Sequence, residues 1–213
     1  CAGAFRARHP VLLVDPRTPT DTLGDLVTTY RPDWVTGPVG ATARLKEAGV
    51  DVLEEREAEG GVLVRVGDDR RELHPDLAVL LTTSGTTGSR KLVRLSAANV
   101  EANARSIAEA LGLTPDERPI TSLPVHYSFG LSVLNSHWWV GATVLLDGGS
   151  VMQQPFWSHV TEHAATSLAG VPYTFQLLER VGFREQALPS LTSLQQAGGA
   201  LDVRLMRRYA EHM

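Results

Sequence analysis

Apolar runs and stretches of helical spacing alternate along the chain. Val- and Leu-rich segments bounded by Gly, Pro or polar residues predict strands at 9–15 (HPVLLVD), 33–37 (DWVTG), 62–66 (VLVRV), 77–83 (LAVLLTT) and 91–96 (KLVRLS). Further strands are predicted at 119–124 (PITSLP), 142–147 (ATVLLD), 166–170 (TSLAG) and 190–199 (SLTSLQQAGG). Between them, helical spacing marks 20–30, 41–49, 97–112, 129–141, 156–164, 172–181 and 201–212. In the strongest of these, Ser96 stands as N-cap and Val100, Ala104, Ile107 and Leu111 fall on one face. Such alternation predicts an α/β fold with largely parallel sheets flanked by helices. No internal repeat, linker or low-complexity tract is visible.

Composition narrows the class. The chain has 213 residues, 43% of them hydrophobic, enough for one large core or two small ones. Acidic residues (24) outnumber basic ones (20), so no general attraction to nucleic acid or anionic lipid is expected. The single cysteine, Cys1, excludes an internal disulfide and fits a reducing, cytoplasmic setting. The chain opens on Cys1 without a signal segment, so it is expected to begin partway along a longer product. Residues 119–146 carry no Asp, Glu, Lys or Arg, yet Pro124, Gly130, Asn135, His137 and Gly141 interrupt them. They read as a buried helix followed by a buried strand, with no membrane span.

The segment 82–91 (TTSGTTGSRK) follows a strand directly. Glycines let backbone N–H groups approach an anion, hydroxyls add donors, and Lys91 adds a mobile positive charge. A polar loop that merely turns between two strands is the other reading of the pattern. The GxxxxGK[ST] phosphate loop does not fit, because Arg90 stands at its second glycine and Leu92 follows Lys91.

Residues 83–88 resemble the Thr-Ser-Gly-Thr-Thr-Gly phosphate loop of the adenylate-forming (AMP-binding) superfamily, which holds acyl-CoA synthetases, peptide adenylation domains and luciferases. Lys91 takes that loop's lysine place, while Arg90 and Leu92 replace its usual Pro and Gly. Asp15, Pro16, Pro19 and Leu23 resemble an upstream family segment. LPVHYSFGLS resembles the stretch whose ring gates the acyl pocket, with Tyr127 at the gate and His126 before it. AGVPYTFQLLERV resembles the Gly-Val-Pro helix, and LQQAGGALD the Gly-Gly-Ala turn beside nucleotide and acyl group, with Leu201 where Pro is frequent.

The resemblance implies a partial N-terminal domain over residues 1–213, divisible into 1–75 and 76–213, without the C-terminal domain. The family's Thr-Glu magnesium motif, ribose-binding Asp and adenylating Lys would lie beyond Met213, so the chain alone is not expected to be a competent enzyme. The implied parent is an ATP- and Mg2+-dependent ligase that activates a carboxylic acid as acyl-adenylate and passes it to CoA or a carrier-protein thiol. Thr83, Ser84, Gly85, Thr86, Thr87, Gly88 and Lys91 would hold ATP phosphates. His126 and Tyr127 would border the acyl pocket, and Gly198, Gly199 and Ala200 the nucleotide side. A non-catalytic nucleotide- or acyl-binding module of the same fold, and an unrelated NTPase, are the rival readings.

Weaker signals carry plain readings. Residues 159–163 (HVTEH) match a zinc-peptidase pattern of two histidines one helical turn apart, but chance matches are common, and no metal ligand is assigned. Trp138 and Trp139 read as core or as walls of an aryl pocket, and Arg207 and Arg208 as a solvated helix face.

Overall fold

A computed structural model of the chain describes residues 2–68, 72–82 and 91–212. They divide into two compact units, one of Cys1–Leu13 with Asp76–Met213 and one of Val14–Pro75.

The smaller unit runs α2 (Thr20–Tyr30), β2 (Trp34–Gly37), α3 (Ala41–Glu47), β3 (Glu54–Ala58) and β4 (Gly61–Arg65), following α1 (Ala2–Arg6) and β1 (Val11–Leu13) of the larger unit. Its three strands pair in the order β2-β4-β3, antiparallel throughout. This departs from the parallel pairing that strand–helix alternation suggests. The reason is β3, an unforeseen strand of sequence EEREA that forms a hairpin with β4. Leu45, Val62 and Val64 form the unit's buried core.

In the larger unit, β5 (Leu77–Thr82) pairs parallel with β1 and antiparallel with β6 (Leu92–Ser96). The helix α4 (Ala97–Leu111) begins at Ser96, whose hydroxyl accepts from the Asn99 N–H while the Asn99 side chain accepts from Ser96 N–H. Ala104 and Ala108 are its buried positions, and Leu111, expected on that face, is half exposed at the helix end.

There follow β7 (Pro119–Thr121), α5 (Ser128–Trp139), β8 (Leu145–Leu146), α6 (Gln154–Glu162), β9 (Ser167–Gly170), α7 (Pro172–Arg180), a short 3-10 turn, β10 (Ser193–Gln196) and α8 (Val203–His212). Four strands form a sheet in the order β10-β9-β7-β8, every pair parallel. The α/β class is thus the observed one. The main core lies against this sheet and includes Ile120, Phe156, Val160, Leu168, Phe175, Leu178 and Tyr209.

Helix α5 is buried along most of its length, as its lack of charge predicts. The core reading fails for Trp138 and Trp139 at its far end, and the buried-strand reading fails for Leu146. Trp138 and Trp139 are 44% and 47% exposed, and Leu146 of β8 is 63% exposed, because β8 is a two-residue edge strand. None of the described helices is long and apolar enough to cross a membrane.

Candidate active site

The chain enters the parallel sheet at β7, moves to β8 on one side, then returns past β7 to β9 and β10. In open α/β sheets such a reversal opens a crevice beyond the carboxyl ends of the strands, here those of β7 and β9, where ligands bind. The residues that follow β7, β9 and β10 therefore matter most.

After β7, the Thr121 hydroxyl donates to the Leu123 carbonyl (3.0 Å) and accepts from the Leu123 N–H (3.2 Å), pinning the strand exit. The Tyr127 N–H then donates to Pro124 O at 3.0 Å, and the Tyr127 carbonyl accepts from Leu131 N–H, starting α5. Gly130 packs on this turn so closely that an added Cβ would stand 2.3 Å from Pro124 O. Tyr127 is consequently held by backbone on both sides.

Its hydroxyl reaches the turn after β10. A Cβ built on Gly198 would lie 2.6 Å from Tyr127 Oη and 3.2 Å from Val171 Cγ1, and Gly198 has φ +83°. A Cβ on Gly199 would touch Pro172 Cγ at 3.3 Å. Tyr127, Val171–Pro172 and Gly198–Gly199 thus converge from three strand ends. Partly buried Tyr127, Phe129 and Val171 rest on buried Leu123, Val133 and Ala169.

Gln196, the last residue of β10, is a contributor that sequence reasoning missed. Its Nε2 donates to Ala197 O (3.1 Å) and Gly199 O (2.8 Å), fixing the carbonyls of the glycine turn. Beyond the turn, Asp202 Oδ1 accepts from the N–H groups of Arg204 and Leu205 and caps α8. His126 is half-buried, and Ala200 is exposed beside the turn.

Residues 83–90, which include Thr83, Ser84, Gly85, Thr86, Thr87 and Gly88, lie outside the described residues. Their flanks are defined: Thr82 pairs with Leu92 at the end of the β5–β6 hairpin, and exposed Lys91 directly precedes Leu92. Leu131, four residues after Tyr127, shares a buried cluster with Val79 and Leu81 of β5.

Two further polar groups stand out, on α5 and just after β8. His137 is fully buried; its Nδ1–H donates to Val133 O at 2.7 Å, and Nε2 has no partner among the described residues. Burial pushes its pKa below the ordinary histidine value of 6.5. The unfolded chain therefore takes up this proton first, so folding stability falls as pH drops below about 6.5, by at most about 1.4 kcal/mol per pH unit. Urea unfolding at pH 7.5, 6.5 and 5.5 should show this slope in wild type and a shallower one in His137→Gln; equal slopes would refute the assignment.

Asp147, just after β8, accepts from His159 Nδ1 of α6 at 2.7 Å and from Gly149 N–H at 2.6 Å. The histidine contact holds the Asp147 carboxyl below its ordinary range. Arg208 pairs with Glu179 at 2.9 Å yet stays largely exposed, in keeping with a solvated helix face. Among the described residues no group of three His, Cys, Asp or Glu side chains is arranged to hold a metal ion.

Comparison with known proteins decides the family. The AMP-binding enzyme profile matches residues 2–213. The chain belongs to the AMP-binding enzyme family. Within that family it is 31% identical over 153 residues to the sulfoacetate–CoA ligase of Cupriavidus necator, covering 65% of this chain and 29% of the relative. It is 30% identical over 178 residues to the oxalate–CoA ligase of Arabidopsis thaliana, covering 80% of this chain and 34% of the relative. The chain therefore spans about a third of the length of these curated relatives.

Among solved structures, VinN with L-aspartate superposes with TM-score 0.75 at 21% identity, covering 99% of this chain and 55% of that one, and so supports the fold. The O-succinylbenzoate coenzyme A synthetase of Bacillus subtilis, in complex with AMP, gives TM-score 0.55 at 29% identity, covering 64% and 28%. The AMP-binding enzyme fold thus extends across the chain described above.

Proposed function

We propose that the chain is part of the N-terminal domain of an ATP-dependent, AMP-forming ligase that activates a carboxylic acid and transfers it to CoA or a carrier-protein thiol, in the cytoplasm. The observation that carries this reading is the seating of Tyr127 on Gly198, with Pro172 against Gly199, at the carboxyl edge of the parallel sheet. A bare glycine surface, closed by a ring and braced by Gln196, suits a flat adenylate and an acyl chain lying against backbone. The ligase names of the relatives favour this reading over a non-catalytic binding module.

Carboxylate is a poor acyl donor because its leaving group would be oxide. In the proposed reaction its oxygen attacks the α-phosphorus of ATP, pyrophosphate leaves, and a thiol sulfur then attacks the acyl carbon to release AMP. Such chemistry depends on positioning and charge neutralisation. Thr83, Ser84, Gly85, Thr86, Thr87, Gly88 and Lys91 are proposed to hold the β- and γ-phosphates, with Lys91 balancing charge at the hairpin end. Tyr127, with His126 beside it, would border the acyl group, and Gly198, Gly199 and Ala200 the nucleotide. Mg2+ would shield phosphate charge, and no described cluster fits it, so no step is assigned to it.

ATP–pyrophosphate exchange against a panel of carboxylic acids, using the gene product that contains this chain, tests the proposal. Exchange that requires one acid, and that falls at least about tenfold in Lys91→Ala, is expected. ATP hydrolysis without any acid, or no exchange with any acid, would overturn it.

A further inference from the structure

The histidine pair of α6 takes no part in the crevice, yet it carries the supporting structure of a metal ligand. His159 and His163 are one helical turn apart, on the same face, with ring centroids 4.7 Å apart at 76°. The Asp147 carboxylate accepts from His159 Nδ1–H at 2.7 Å, which leaves the Nε2 lone pair of the ring for another partner. Metal-ligating histidines almost always make this second contact, because it fixes the tautomer and raises the basicity of the ligating nitrogen.

The supporting carboxylate is itself fixed. The Gly149 N–H donates to Asp147 Oδ1 at 2.6 Å, and the side chains of Asp147 and His159 are only 15% and 27% exposed. His163 caps the helix and is exposed, so its ring can turn toward a shared ion. Both rings open on a shallow cleft lined also by Gln154, Pro155, Ser158 and Glu162.

We propose that His159 and His163 form a two-histidine clamp for a divalent late transition-metal ion, oriented by Asp147 and completed by water. Two imidazoles at helical i, i+4 spacing suit Cu2+, Ni2+ or Zn2+ and disfavour Mg2+ and Ca2+, which select oxygen donors. With two protein ligands in place of three, the clamp is no peptidase centre, despite the H-x-x-E-H pattern. The inference is independent of the ligase reading.

Calorimetric titration of the chain with Zn2+, and with Cu2+ followed by electron paramagnetic resonance, tests it. One saturable site is expected, with nitrogen hyperfine structure on Cu2+ and a melting temperature that rises with metal concentration. His159→Gln and His163→Gln should each weaken binding at least about tenfold, and Asp147→Asn about tenfold. His163 is exposed, so its variant remains informative if replacement of Asp147 disturbs folding. No saturable binding up to millimolar metal, or unchanged binding in both histidine variants, would overturn the proposal.

Discussion

Gly130→Ala is expected to destabilise the protein by about 3 kcal/mol, equivalent to ~6–12 °C in Tm, and to weaken ligand binding at the crevice about a hundredfold. The added Cβ would stand 2.3 Å from Pro124 O and 2.9 Å from Leu123 O. Both are backbone atoms, so no rotamer change relieves the contact. The start of α5 would have to lift from the turn in which Tyr127 N–H bonds Pro124 O. Tyr127 is the first residue displaced, and a misplacement of about 1 Å in such a group can cost ~100-fold in function. Leu131, buried with Val79 and Leu81, would transmit the shift to β5, which directly precedes the proposed phosphate-binding residues 83–88 in the sequence. Gly148→Ala, where an added Cβ meets nothing within 4 Å, is the matched control and should melt like wild type. A Gly130→Ala loss below about 1 kcal/mol in urea unfolding would show that the turn yields easily, contrary to this account.

Where side-chain identity coincides with burial, the elements were legible. The apolar run predicted at 77–83 forms β5 over its described residues, Leu77–Thr82, with Ala78, Val79 and Leu81 in the core. Thr20–Tyr30 is a helix over the residues its spacing predicts. Strand β3 shows the opposite case: EEREA has no apolar alternation, its side chains lie mostly exposed on an edge, and its pairing comes from the hairpin that turns at Gly60, φ +75°. No local hydrophobic signal could mark it. Trp138, Trp139 and Leu111 mislead in the other direction, since large apolar side chains at helix ends can stand half in water. The proposed site divides in the same way. Tyr127, Gly198 and Gly199 were named only through the resemblance of LPVHYSFGLS and LQQAGGALD to family stretches. Gln196 was not, because its role lies in bonds to turn carbonyls, nor was Asp147, whose histidine partner is twelve residues away in another element.

The contact between Tyr127 and Gly198 can be isolated by a pair of substitutions. Gly198→Ala is expected to weaken binding of AMP or a stable acyl-adenylate analogue at least about a hundredfold, while costing only ~1–2 kcal/mol of stability. The stability cost is small because the clashing atom, Tyr127 Oη at 2.6 Å, is the free end of a side chain that can swing away. The left-handed backbone at φ +83° contributes the remainder. Binding suffers more, since the ring would leave the glycine surface it closes. Tyr127→Phe removes Oη alone; the next ring atom, Cζ, lies 3.9 Å from the new methyl position, an ordinary contact. The Gly198→Ala/Tyr127→Phe double variant should therefore recover at least about tenfold of the affinity lost by Gly198→Ala, a positive coupling in the double-mutant cycle. Strictly additive losses would mean that the two residues do not meet in the bound state. A large stability loss in Gly198→Ala alone would show that backbone strain, and not the ring, dominates at this turn.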